Sequence, residues 1–217
     1  MHLKMKILVL TLAMAGVMSS AHATVLVSNS SATSVDIVAS GFGGTLIDSA
    51  ITAISNISYN GTARSAVYQT ATGFDFYYQF TNEDSSQNGV HRFAGFDFSS
   101  LGASVVDVYQ TGTGFGIFAN GSEFSDNADR SNAGVIGFNF VPVVTGDIQP
   151  GSTSYIQIIS TNATNYQPGN FVISNGIGSN AEGFASAAAV PEASTGLMVF
   201  SGLGLIGLIG ARRTRKG

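Results

Sequence analysis

The stretch GFDFYYQF, residues 73–80, puts Phe74, Phe76, Tyr78 and Phe80 on one side of an extended chain and Asp75, Tyr77 and Gln79 on the other. Successive side chains of a strand point to opposite faces, so aromatic residues at a period of two mark a half-buried β-strand. One face is expected to be core and the other wet. The signature returns as GFDF at 95–98 and GFNF at 137–140. These irregular intervals read as recurrent strand grammar rather than the fixed period of a propeller or solenoid.

Working outward from that strand, further candidates fall at 24–28, 34–39, 45–48, 51–59, 64–70, 104–110, 114–118, 154–160 and 170–173. Turn signals such as NGT, NGS, PGS and PGN punctuate them. Many short strands without an amphipathic helix favour an all-β fold, a single antiparallel β-sandwich of which a jelly roll is one form. One domain over 24–178 is expected, followed by a flexible linker at 179–189 rich in Ala, Ser and Gly.

Composition narrows the chemistry. Charged residues make up only 10% of the 217 residues, against roughly 25% in ordinary soluble domains. Between Thr24 and Ala189 the cations are Arg64, Arg92 and Arg130, which against twelve carboxylates leave a net charge of −9 with His neutral. Such a body repels nucleic acid and anionic lipid. The chain has no cysteine, which excludes disulfides, thiolate nucleophiles and Cys-based metal sites.

The two ends have a different character. MHLKMK supplies Lys4 and Lys6, Ile7–Met18 is a short apolar segment, and Ala21-His22-Ala23 closes it with small residues. This is the plan of a secretory signal peptide over 1–23, with signal peptidase cutting between Ala23 and Thr24. At the other end, Gly196–Ala211 is an apolar run diluted by five glycines, followed by Arg212, Arg213, Arg215 and Lys216. As a helix it covers about 24 Å, a marginal membrane span, and its basic cluster belongs on the cytoplasmic side.

Val190-Pro191-Glu192, a short Ser/Thr spacer, a Gly/Leu-rich apolar helix and a terminal Arg cluster together resemble the PEP-CTERM protein-sorting signal of exopolysaccharide-producing Gram-negative bacteria. The usual second proline is replaced by Ala193. The resemblance implies that an exosortase, a membrane-embedded transpeptidase-like enzyme, recognises the tail at 190–217 and removes it near Pro191-Glu192. The chain is then a substrate with a transient membrane anchor. Pro191 keeps the recognition segment extended and outside the following helix. The body itself, on SAVYQTATGFDFYYQFTNEDSS (65–86), GVIGFNF (134–140) and IQPGSTSYIQIISTNATNY (148–166), is similar to uncharacterised exported proteins carrying the same tail, a resemblance that implies one compact secreted domain and no particular activity.

Candidate chemistry in the body is sparse. His91 is the one histidine left after signal removal, so a multi-histidine metal site is excluded and a solvated strand-end residue is expected. Asp75 and Asp97 each sit between two aromatic residues and fall on the face opposite them, where paired strands would bring two carboxylates together as in a glycoside hydrolase. Outward Asp between inward Phe is also the ordinary pattern of a half-exposed sheet. Asp84, Ser86, Asn88 and Gly89 follow the spacing of a calcium loop but lack its bidentate Glu at position twelve, where Gly95 stands. Asp126 and Asp129 form a second, weaker cation candidate. Asn29, Asn56, Asn60, Asn120 and Asn162 begin Asn-x-Ser/Thr sequons, a frequent coincidence in so Asn/Ser/Thr-rich a chain.

The sequence therefore predicts an exported, noncatalytic protein without an obligate cofactor. An exosortase sorts it to the cell surface or extracellular polysaccharide matrix, where its role is structural or glycan-associated and biofilm exopolysaccharide is its candidate ligand. The rival readings are a secreted carbohydrate-active hydrolase and a self-assembling surface subunit joined through sheet edges.

Overall fold

The computed structural model describes residues 23–39, 43–95, 98–102, 104, 106–140 and 147–188. The signal segment to Ala21, the sorting motif at Val190, Pro191 and Glu192, the apolar helix and the basic cluster at 212–216 lie outside the described residues. Among the described residues no helix is long and apolar enough to cross a membrane.

Thirteen strands are found among them: β1 (Thr24–Leu26), β2 (Ser30–Ser34), β3 (Asp36–Ile37), β4 (Thr45–Ser55), β5 (Asn60–Gln69), β6 (Phe74–Asn82), β7 (Arg92–Gly95), β8 (Val106–Thr111), β9 (Asn127–Arg130), β10 (Ile136–Asn139), β11 (Ile156–Ser160), β12 (Tyr166–Ser174) and β13 (Gly178–Ser186). A single turn of 3-10 helix, Phe98–Leu101, follows β7. Sheet A runs β1-β8-β11-β6-β5-β4, with β3 also on β8, and sheet B runs β13-β12-β7-β10-β9-β2. All ladders are antiparallel except the two-residue β3–β8 pairing. Facing sheets of this kind are the sandwich that the alternating aromatics predict.

The inner faces meet in a core of large side chains. Phe76, Tyr78 and Phe80 of β6 are buried with Phe93, Phe138 and Phe171 of sheet B. Phe76 meets Phe98 edge-on with ring centroids 5.1 Å apart, and Tyr78 lies 5.1 Å from Phe171. Hydroxyls satisfy carbonyls across the layer: Tyr59 donates to Ile173 O at 2.6 Å, and Tyr78 donates to Phe184 O. Burial of Tyr78 raises its hydroxyl pKa well above the usual range, so this donor stays protonated.

Three expectations change. Residues 179–186 are not a linker but the body of β13, paired along its length with β12 from Tyr166↔Ser186 to Ser174↔Gly178. Small residues are needed there because the strand packs closely. An added Cβ at Gly183 would lie 3.3 Å from Phe171 and 3.4 Å from Tyr78. The segment 114–118 is not a strand: Phe118 N bonds back to Phe115 O at 2.8 Å, and Gly116 has a φ of 56°. A glycine in the left-handed region makes this a turn.

The third change concerns the outer face of sheet A, whose central part is covered. The loop from Gly112 to Asp126 folds back over it, and Ala66, Tyr68, Tyr77, Phe118, Ile156 and Ile158 form a second apolar cluster beneath. Gln79 binds the loop like a neighbouring strand, donating to Ala119 O at 2.7 Å and accepting from Ala119 N at 2.9 Å. Gln110 does the same at Ser125, with both bonds at 2.8 Å. Primary amides can do this because their carbonyl and NH2 reproduce the backbone's acceptor and donor.

Candidate functional site

Of the two acidic residues that the sequence singles out as a hydrolase pair, the structure describes Asp75. Asp75 is on β6, which pairs with β5 and β11 in sheet A. Asp97 itself lies outside the described residues. Asp75 is 4% exposed rather than solvated, because the outer face that carries it is covered. Tyr109 donates to its Oδ2 at 3.3 Å, while Oδ1 has no hydrogen-bond partner. Burial pushes the Asp75 carboxyl above the usual carboxylate range, hydrogen bonds from Ser160 and Tyr109 partly offset this, and the nearby charge of Asp107 adds to it. The arrangement is one buried carboxyl among tyrosines, with its protonated form favoured relative to a free carboxyl.

The calcium-like loop has another explanation. Ser86 Oγ donates to Asn60 O and accepts from Asn60 N, both at 2.8 Å. Asn88 Nδ2 donates to Ser58 Oγ at 3.0 Å, and the backbone N–H groups of Gln87 and Asn88 both reach Ser58 O. These side chains cap the β4–β5 turn, while the Asp84 carboxylate lies against Gly151. Asp84, Ser86 and Asn88 thus serve two different neighbours instead of converging on one point.

On the outer face of sheet B, Arg92, Asn139, Asn127 and Asp129 form a polar network. Arg92 grips Asp129 with two bonds, Nη1 to Oδ2 at 2.5 Å and Nη2 to Oδ1 at 2.9 Å, and also donates to Asn139 Oδ1. Asn139 Nδ2 donates to Asn127 Oδ1 at 2.7 Å and to Asp129 Oδ2 at 2.9 Å. The guanidinium lies across Gly137 and fills the space a side chain there would take, with an added Cβ coming within 1.9 Å of it. Hydrogen bonding to Arg92, helped by Asn139, holds the Asp129 carboxyl below its ordinary range despite some burial. A carboxylate held in a fork by guanidinium is a poor cation ligand, which removes Asp129 from the second calcium candidate.

His91 stands at the head of β7 with its ring about half exposed, and its Nδ1 lies 2.5 Å from Asp147 Oδ1. Among the described residues no group of three His, Cys, Asp or Glu side chains could hold a metal ion. A cleft of about 500 Å³ lies between 34–37 and 124–127, with Asp126 the one titratable residue on its wall. Sequence reasoning missed the Arg92 network and the unpartnered Asp75 oxygen, since both depend on which strands adjoin and what covers them.

The described residues end shortly after the last strand. β13 ends at Ser186, and Ala187 N bonds to Asn165 O at 3.0 Å. From Ser186 to Pro191 the chain has five residues, which span at most about 18 Å when extended. That is the longest stretch of chain that can separate the last strand from Pro191.

The chain matches no curated protein and no solved structure. Residues 189–216 match the family model described as the PEP-CTERM protein-sorting motif, so this exported chain ends in the sorting tail of an exosortase substrate.

Proposed function

We propose that the protein is a noncatalytic component of the cell surface or extracellular polysaccharide matrix, exported by its signal peptide and released from its membrane anchor by an exosortase. The observation that carries this reading is the sorting motif at 189–216, which begins almost directly after the last strand of a single sandwich. The body contributes a stable exported module with a structural or glycan-associated role. In support, among the described residues Asp75 is buried, Asp129 is held by Arg92 and Asp147 lies against His91.

Intact-mass analysis of the protein from membranes and from the medium, in cells with and without exosortase, tests the reading. The expected mature chain begins at Thr24 and ends near Pro191 only when the enzyme is present. A chain that still ends at Gly217 in both backgrounds refutes the processing step. Hydrolysis of polysaccharide by the purified protein, abolished by Asp75→Asn, would refute the noncatalytic role.

A further inference from the structure

We propose that the protein associates with a second copy of itself through β4, two β4 strands pairing antiparallel across a two-fold axis near Ile51 to join two A sheets into one. This goes beyond the sorting role and does not depend on how the tail is processed.

Sheet A ends at β4. The strand is eleven residues long and pairs with β5 from Thr45↔Gln69 to Ser55↔Asn60, and among the described residues no strand pairs with its other side. An uncovered edge exposes a row of backbone donors and acceptors whose natural complement is another strand. β4 also carries Leu46, Ile47 and Ile51 at 46%, 40% and 59% exposure. Among the described residues, three of the eight exposed large aliphatic side chains are on this one strand.

The remaining edges do not offer an equal partner. β13 is stoppered from the opposite sheet: Thr52 Oγ1 accepts from Glu182 N at 3.1 Å, and Ser65 Oγ donates to Glu182 O at 2.9 Å. β2 has five residues and an irregular register, and the edge on β8 is divided between the three residues of β1 and the two of β3. Only another β4 matches β4 in length. Pairing over about 37 Å of strand buries on the order of 1,000 Å² in total, the lower limit for a specific interface.

Charge agrees with this choice. Two bodies of net charge −9 repel, so a stable contact must lie where the charge is sparse. Asp48 is the single charged residue of β4. With Ile51 opposite Ile51 of the second copy, Asp48 falls opposite Ile54, and the two Asp48 carboxylates stand roughly 20 Å apart, beyond the screening length at physiological salt.

The lack of native cysteine makes the test direct. Single cysteines at Ser49, Ile51 and Ala53, introduced into the full chain and exported into an oxidising compartment, should give a disulfide-linked dimer strongest for Ile51→Cys, with Ile37→Cys on the opposite edge remaining monomeric. Cross-strand neighbours at a two-fold axis satisfy the Cα separation a disulfide needs. Ile51→Lys should weaken association at least tenfold by light scattering while leaving the circular dichroism spectrum unchanged. Monomer at all three β4 positions, or equal cross-linking through Ile37→Cys, overturns the proposal. A mixed Ile51→Cys/Ile37→Cys dimer on coexpression overturns the two-fold arrangement in favour of a head-to-tail one.

Discussion

The two sheets treat their outer faces in opposite ways. On sheet A the Gly112–Asp126 loop lies over the strands and excludes water, so Tyr77 and Gln79 are fully buried and Asp75 nearly so. Sheet B leaves Arg92, Asp129 and Asn139 at its surface as a hydrogen-bonded network. Both faces derive from the same grammar of polar residues alternating with phenylalanine. What separates them is a loop distant in sequence, and so the environment of a strand's second face is a tertiary property.

Substitutions on the two faces should differ accordingly. The largest effect is expected for Tyr77→Ala, which empties the cluster between strand and loop and should cost about 3–5 kcal/mol. For a domain of this size each kcal/mol corresponds to about 2–4 °C in a thermal melt. A loss no greater than that of a surface residue would show that the loop does not pack as described. Gln79→Ala should come next, at about 2 kcal/mol, because Ala119 N and O lose their partners together. Proteolysis within 112–126 should accelerate in that variant.

Asp75 and Asp129 sharpen the contrast through proton linkage. Burial raises the folded-state pKa of Asp75, so the stability its protonation gives is fully present below the unfolded pKa and is lost as pH rises through the folded value. Asp75→Asn should therefore stabilise the protein at neutral pH, by on the order of 1 kcal/mol, with the gain shrinking on acidification. Asp129 has the reverse sign. Arg92 depresses its folded pKa, so its contribution is present above the unfolded pKa and disappears as pH falls through the folded one. Melts of Asp75→Asn and Asp129→Asn across pH 3–8 should diverge from the parent in opposite directions; parallel curves would contradict the assigned environments.

The smallest effect is expected at Gly137→Ala. The new methyl displaces the end of the flexible Arg92 side chain and breaks its grip on Asp129, at a cost below about 1 kcal/mol for so accessible a pair. A loss of several kcal/mol would mean that the network of sheet B supports the fold as strongly as the covered face of sheet A.

Much of the sandwich could be read in the sequence, because alternation survives wherever large aromatics point inward. Phe74, Phe76, Tyr78 and Phe80 lie on the core side as the pattern requires. β13 escaped notice because, Phe184 apart, its core residues Ala181 and Ala185 are small and carry little hydrophobic signal, and at Gly183 smallness is what close packing against Phe171 and Tyr78 demands. The GFGIF segment misled in the other direction: its aromatics suit a strand, but Gly116 turns the chain. Among candidate site residues, the calcium-like spacing at Asp84, Ser86 and Asn88 includes two side chains, Ser86 and Asn88, that hydrogen-bond the β4–β5 turn. The sorting tail was legible for a different reason, since its order of proline, acid, apolar run and basic cluster does not depend on tertiary neighbours.

The order of strands in sheet A also has a kinetic consequence. β11, residues 156–160, fills the place between β8 and β6, so β1 and β8 cannot join the rest of the sheet until most of the chain is available. Pairings so distant in sequence form slowly. In a chain made from its N-terminus, sheet A can therefore close only once residues 156–160 are available, when nearly three quarters of the chain has been made.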